Sequence, residues 1–204
     1  MPAKPAVRSS TRPAAKAAAD QPVRFATQRA FETWLRTHHA TSDGIWLQIA
    51  KADAEPTVTY AQAIESALCH GWIDGPKRAL DDAHWLQRFT PRRARSLWSK
   101  INRDKAEALI AAGRMQPAGV AEVERARADG RWDAAYDSPR TAEVPADLRA
   151  ALDAIPAAAT FFDQLNKTNR YAVLWRVQTA KQPATRARRI EQLVAMLAEG
   201  KKLH

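Results

Sequence analysis

Residues 60–102 read YAQAIESALCHGWIDGPKRALDDAHWLQRFTPRRARSLWSKIN, and the fold of the N-terminal part of the chain depends on this stretch. It holds the only cysteine and three of the seven tryptophans. Thr59 and Gln62 have the spacing of a capping box, which predicts the start of a helix. Apolar residues at helical spacing continue to Trp72, and Asp74-Gly75-Pro76 predicts a turn that stops the helix.

Three strands are predicted around this helix. Residues 77–80 and 84–89 flank Asp81-Asp82, as two strands flank a turn, and residues 45–50 read as a short buried strand. Residues 27–40 carry apolar side chains at helical spacing. The sequence therefore predicts an α+β fold, with a small antiparallel sheet of about three strands covered by helices.

From Pro145 onward the chain has a helical pattern divided by Pro156, Asn166-Lys167 and Gln182-Pro183. We therefore expect an all-helical C-terminal segment. The predicted organisation is a disordered basic tail at 1–22, an α+β domain at 23–140 and a helical domain at 141–204.

The composition is typical of a globular protein, with a formal net charge of +10. No apolar run reaches the length of a membrane span, and a single cysteine cannot form an internal disulfide, so we expect a cytoplasmic protein. Residues 160–204 hold nine basic and three acidic side chains, and residues 88–105 hold seven and one. Basic patches of this kind attract anionic ligands, acidic protein surfaces or nucleic acid.

The arginine-rich part of the opening stretch is the first candidate site. Guanidinium groups, hydroxyls and indoles ahead of a helix N-terminus are suited to hold a phosphate or carboxylate. The candidate ligand-binding residues are Trp72, Asp74, Arg92, Arg93, Ser96, Trp98 and Ser99. The alternative is that Arg93 pairs with Asp74, Asp81 or Asp82 and that Trp98 packs in the core.

Asp74 is the one candidate catalytic residue, as a general base or as a group that orients an arginine. The alternative is a carboxylate that only caps a turn. Cys69 and His70 are adjacent on a helix and point about 100° apart, so we expect a buried, inert thiol rather than a nucleophile–base pair. Histidine spacing gives no metal site, and no motif for a cofactor, nucleotide hydrolysis or zinc proteolysis is present, so we expect none of these.

Arg186, Arg188 and Arg189 lie at the start of the last predicted helix, where the helix dipole disfavours cations. They therefore serve an acidic group within the fold or a partner outside it. With the basic tail, they form a candidate nucleic-acid contact.

Several linked motifs resemble the bacterial family named bacteriocin-protection, or OmpD-associated (YdeI/OmdA-like). They are ALCHGWIDG, LDD, QRFTPRR, SLWSKIN and GRM, followed by AVLWRVQTAK and TRARRIEQLVAMLAEGK, and the resemblance covers roughly residues 23–204. The family name implies stress resistance through protection against antimicrobial peptides and association with an outer-membrane porin. The resemblance implies no catalytic mechanism.

The sequence is consistent with three functions. The first is a non-enzymatic protein that binds an anionic small ligand or partner at the Arg/Trp patch. The second is an enzyme acting on a small acidic substrate with Asp74 and Arg93. The third is non-specific nucleic-acid association through the tail and the last helix.

Overall fold

The computed structural model describes residues 21–204. The predicted basic tail therefore lies outside the described residues, apart from its last two positions. The chain divides into two compact units: residues 21–96 with Lys105–Ala126 form the N-terminal unit, and Leu97–Asp104 with Arg127–His204 form the C-terminal unit.

The N-terminal unit is built on a four-stranded mixed sheet with the order β1-β2-β4-β3. The strands are β1 (Pro22–Val23), β2 (Ile45–Ala50), β3 (Trp72–Ala79) and β4 (His84–Pro91). β4 lies in the centre and pairs antiparallel with β2 and β3, while the two-residue β1 runs parallel to β2. The predicted antiparallel strands are present, and β1 makes the sheet one strand larger than expected.

Two helices cover one face of this sheet: α1 (Gln28–His38) and α2 (Tyr60–Cys69). Phe31 of α1 lies 5.9 Å from the ring of Phe89, which pairs with Ile45 across the sheet. Phe31 and Phe89 have no exposed surface. The main core of this unit therefore lies between α1, α2 and the sheet.

The α2 N-terminus forms as the capping box predicts. Thr59 Oγ1 accepts a hydrogen bond from the Gln62 backbone N–H, and the Gln62 side chain accepts one from the Thr59 N–H. The two donors at the helix start are thus satisfied reciprocally, which stabilises a helix end by about 1 kcal/mol.

The predicted turn at Asp74-Gly75-Pro76 is wrong. α2 ends at Cys69, and Trp72 already belongs to β3, where Asp74 lies opposite Phe89. Gly71 adopts φ +75°, and the helix ends three residues before Trp72, the last residue of the apolar spacing. Gly75 and Pro76 instead form a break in register between Asp74 and Lys77.

Two further helices, α3 (Lys100–Ala111) and α4 (Pro117–Ala128), each contribute residues to both units. Ser99 Oγ accepts a hydrogen bond from the Asn102 N–H at the start of α3. Gly113, at φ +64°, follows its end, and Gly130, at φ +76°, follows the end of α4. Both glycines occupy the left-handed conformation that commonly terminates a helix.

From Ala146 to Ala198 the C-terminal unit is helical, as predicted. It contains α5 (Ala146–Asp153), α6 (Pro156–Asp163), α7 (Lys167–Gln178) and α8 (Pro183–Ala198). Their fully buried core consists of Leu148, Leu152, Ala158, Phe162, Val177 and Leu197. The α+β class with a helical C-terminal segment is therefore confirmed.

Candidate functional site

A cleft of the N-terminal unit lies beside α1, at the C-terminal end of α2 and the start of α4. Its volume is about 600 Å³, within the range of about 300–1,000 Å³ typical of small-molecule sites. We call it the arginine cleft, and its lining residues are Arg29, Glu32, Thr33, Arg36, Cys69, His70, Arg114 and Gln116.

Helix α1 supplies one wall of the cleft. Arg29, Glu32 and Arg36 follow one another at spacings of three and four residues, so they share a face of the helix. The Arg29 and Arg36 side chains are exposed and form no ion pair with a carboxylate of the described residues. Two guanidinium groups thus line the cleft without an ion-pair partner among the described residues.

Arg114 supplies the third guanidinium and is held by carboxylates. Its Nη1 donates to Glu65 Oε2 at 2.9 Å, and its Nη2 lies 3.7 Å from Glu32 Oε1. The hydrogen bond with Glu65 raises the pKa of Arg114 above its usual range, which keeps this side chain charged. Arg114 therefore joins α1 and α2 electrostatically and leaves the positive charge of the cleft to Arg29 and Arg36.

Glu32 is fixed by its own hydrogen bonds. Its Oε1 accepts from Gln28 Nε2 at 3.0 Å and from the hydroxyl of the fully buried Ser66 at 3.0 Å. A carboxylate with these donors and Arg114 beside it is satisfied within the protein. Neither Arg29 nor Arg36 lies within ion-pair distance of it, and its hydrogen bonds hold the wall of the cleft in place.

Cys69 and His70 form the buried end of the cleft. Burial raises the pKa of the Cys69 thiol to about 11, although Arg114 acts in the opposite direction. Burial also lowers the pKa of His70, although its hydrogen bond to the Ser66 carbonyl opposes this. At neutral pH the thiol is protonated and the imidazole is neutral, so this pair lacks the thiolate that nucleophilic catalysis needs.

The close approach of α4 to the end of α2 completes the cleft. The Gln116 N–H donates to the Cys69 carbonyl at 3.0 Å, and a Cβ on Gly119 would lie 2.3 Å from the same oxygen. Gly71 makes a similar approach, because a Cβ there would lie 2.9 Å from the Ala118 carbonyl. Only glycine allows these backbones to meet so closely.

Two of the predicted site residues lie on the helix-covered side of β3. Trp72 is buried, its Nε1 donates to the His39 carbonyl at 3.0 Å, and its ring meets Trp34 edge-on at 5.7 Å. Asp74 accepts a hydrogen bond from the Tyr60 hydroxyl at 2.9 Å. Burial, together with the Asp74 charge, raises the pKa of Tyr60.

Arg92 and Arg93, the neighbouring arginines of the predicted site, lie in different environments. Arg92 is buried and its N–H donates to the Gly71 carbonyl, whereas the Arg93 side chain is exposed. Ser96 Oγ accepts from the Arg93 N–H at 2.9 Å and so closes a turn. Arg93 forms no ion pair with Asp74, Asp81 or Asp82, the partners that the structural alternative required.

Trp98 and Ser99 belong to the C-terminal unit. Trp98 is buried and packs edge-on against Trp132 at 4.8 Å, and Ser99 forms a bridge with Tyr136 and caps α3. Burial of both Trp72 and Trp98 favours core roles for these indoles over stacking on a ligand. A ligand site formed by the seven predicted residues stays a prediction.

Comparison with protein-family models gives two matches. Residues 23–122 match a domain of unknown function, and residues 141–200 match the family described as bacteriocin-protection, YdeI or OmpD-associated. We call residues 141–200, which match this family's model, the bacteriocin-protection segment. The predicted family is thus confirmed over the bacteriocin-protection segment, while the motifs between residues 60 and 115 fall within the other domain. Searches of the curated proteins and of the solved structures found no significant match.

The bacteriocin-protection segment contains the three arginines predicted to contact nucleic acid. Arg186 forms a two-pronged ion pair with Asp147, at 2.6 and 2.9 Å, and so finds its acidic partner within the fold. Arg189 donates to the Arg176 carbonyl at 2.7 Å, and Arg188 is exposed. The Asp147 carboxylate therefore offsets the unfavourable interaction of Arg186 with the helix dipole.

Within residues 21–204, no cluster of three or more His, Cys, Asp or Glu side chains is placed to hold a metal ion. In the same part of the chain, no helix is both long and apolar enough to cross a membrane.

Sequence reasoning missed the arginine cleft. The sequence signal for its α1 wall is present, because Arg29, Thr33 and Arg36 follow helical spacing. Arg114, by contrast, bonds to a carboxylate 49 positions away. No local pattern could bring that residue to α1 and α2.

Proposed function

We propose that the protein binds a small anionic ligand, one that carries phosphate or carboxylate groups, in the arginine cleft. The observation that carries this proposal is that Arg29 and Arg36 face a cleft of about 600 Å³ without a carboxylate partner among the described residues. Guanidinium groups bind phosphate and carboxylate through paired, charge-assisted hydrogen bonds. This proposal keeps the anionic ligand expected from the sequence and moves its site from the Arg/Trp patch to α1.

The expected affinity follows from the number of charged contacts. A hydrogen bond to a charged group contributes about 1.5–3 kcal/mol, so two of them hold a single phosphate with a dissociation constant of about 1 mM. The cleft is large enough for a ligand with more than one anionic group. We therefore expect polyanionic small molecules to bind more tightly than inorganic phosphate.

The groups that line the cleft are suited to ligand binding rather than to catalysis. A nucleophile would need an ionised thiol, yet the Cys69 thiol stays protonated at neutral pH because burial raises its pKa to about 11. Glu32 already accepts hydrogen bonds from Gln28 and Ser66, so it is committed to structure rather than to proton transfer. The charges of the cleft favour retention of an anion.

Titration of inorganic phosphate, pyrophosphate and citrate by isothermal calorimetry at constant ionic strength tests this function. The variant Arg29→Gln with Arg36→Gln removes both uncompensated charges while retaining polar side chains. We expect it to weaken pyrophosphate and citrate binding at least tenfold and to leave the unfolding temperature nearly unchanged.

The matched control is Arg93→Gln with Arg95→Gln, which removes two exposed charges from the same unit outside the cleft. Equal losses in both double variants would show that only general charge matters and would refute the cleft as the site. A loss confined to the control would instead return the site to the Arg/Trp patch.

A further inference from the structure

A groove between α7 and α8, within the bacteriocin-protection segment, exposes an indole. Its volume is about 440 Å³, and Trp175 lies on its wall. Trp175 is 39% exposed, whereas the other six tryptophans are buried or half-buried. Covering a large exposed aromatic ring with a flat apolar partner is energetically favourable.

The same groove carries two guanidinium groups. Arg176 and Arg189 line it, and no carboxylate is among its lining residues. Arg189 Nη1 donates to the Arg176 carbonyl at 2.7 Å and lies 3.4 Å from Thr179 Oγ1, which fixes the guanidinium at the end of α7. A guanidinium held in this way loses little side-chain entropy when its remaining donors bind an anion.

Apolar side chains complete the groove beside the indole. Leu193 is buried, and Met196 and Leu203 are half-buried. The groove therefore combines a flat aromatic face, an apolar wall and two cations. A ligand that matches it has a flat ring and an anionic group within a few ångströms of that ring.

We propose that this groove binds a nucleobase together with its phosphate, with the base on Trp175 and the phosphate on Arg176 and Arg189. Stacking on an aromatic side chain tolerates every base, and arginine holds the phosphate, as in proteins that bind single strands. The source of this chemistry is a free mononucleotide or a single-stranded oligonucleotide. The site is independent of the arginine cleft, which lies in the other unit.

Fluorescence anisotropy with a labelled ten-residue oligothymidylate, on the full chain at 50 mM salt, tests the proposal. Trp175→Ala removes the stacking face, and we expect it to weaken binding about tenfold or more, because stacking contributes about 1–3 kcal/mol per base. Arg176→Gln removes a phosphate contact, and we expect it to weaken binding and to lower the dependence of the affinity on salt.

Lys167→Gln is the matched control, because Lys167 is an exposed cation of α7, the helix that carries Trp175, and does not line the groove. We expect it to bind like the wild type. Thermal unfolding of each variant checks that the fold is retained, and Trp175→Phe, which keeps an aromatic face, should recover most of the affinity.

Competition distinguishes the two sources. Displacement of the oligonucleotide by adenosine monophosphate at millimolar concentration assigns the groove to a nucleotide, and absence of displacement assigns it to a strand. A duplex of the same length should bind more weakly, since its bases are already stacked. Wild-type protein that binds neither probe, or unchanged binding by Trp175→Ala, would overturn the proposal.

Discussion

The buried imidazole of His70 makes the stability of the folded protein depend on pH. Its Nδ1 lies 2.9 Å from the Ser66 carbonyl, which can only accept, so Nδ1 carries the hydrogen in the neutral ring. Burial makes a charged ring unfavourable, and this lowers the pKa of His70 from the ordinary value of 6.5. The neutral form is therefore the one that the fold accommodates best.

Stability should fall on acidification because of this residue. Between the lowered folded pKa and 6.5 the unfolded chain binds more protons at His70 than the folded protein does. The His70 contribution is thus complete above pH 6.5 and is lost as the pH falls, at no more than about 1.4 kcal/mol per pH unit for one proton. Urea unfolding at pH 7.5, 6.5 and 5.5 measures this dependence.

His70→Asn keeps a donor near the Ser66 carbonyl but does not titrate. We expect its free energy of unfolding to change less with pH than that of the wild type, since every other titrating group is common to both proteins. Identical slopes for the two proteins would show that His70 titrates alike in the folded and unfolded chains.

At the scale of elements, the crossing of α2 and α4 depends on Gly119. A Cβ at this position would lie 2.3 Å from the Cys69 carbonyl oxygen and 2.7 Å from the Leu68 carbonyl oxygen. Both contacts are with backbone, so the helices would have to move apart to accept a side chain. The position of Gln116, and with it one wall of the arginine cleft, depends on this crossing.

Gly119→Ala should therefore destabilise the fold by about 1–3 kcal/mol, although alanine normally favours a helix. Gly75→Ala is the control, because a Cβ there meets Arg88 at an ordinary 3.4 Å. Chemical unfolding of both variants measures the difference. A Gly119→Ala protein as stable as the wild type would mean that the two helices do not approach this closely.

Elements whose signals are local were predictable from the sequence. The capping box of Thr59 and Gln62 requires only side chains three positions apart, and it forms as expected. The spacing of Trp72 from the preceding apolar residues predicts a helical position for it. It belongs to β3 because pairing with β4, opposite Pro91, outweighs that local preference.

The candidate site was less predictable than the fold. The arginines of residues 88–105 are dense in the sequence, but Arg92 turns inward and Arg93 outward. The arginine cleft draws its charge from Arg29, Arg36 and Arg114, and these residues are dispersed along the chain. The density of basic residues in the sequence thus favours an anionic ligand. It does not show which arginines lack an ion-pair partner in the folded chain.

At the scale of the whole molecule, each of the two units has a depression in the surface of its described residues that is lined by arginines without an ion pair. Arg29 and Arg36 face the cleft of the N-terminal unit, and Arg176 and Arg189 line the groove of the C-terminal unit. Arg186, by contrast, is neutralised by Asp147 and serves the fold. In each unit, two arginines without an ion pair to a carboxylate thus line a concave surface of the described chain.

The most direct test of the central claim is a nuclear magnetic resonance titration of the ¹⁵N-labelled protein with pyrophosphate at constant ionic strength. In the N-terminal unit, we predict the largest shifts at the amides of residues 29–36 and 114–116 and at the Nε–H groups of Arg29 and Arg36. Absence of shifts at these positions, or larger shifts at residues 92–96 of the same unit, would contradict anion binding in the arginine cleft.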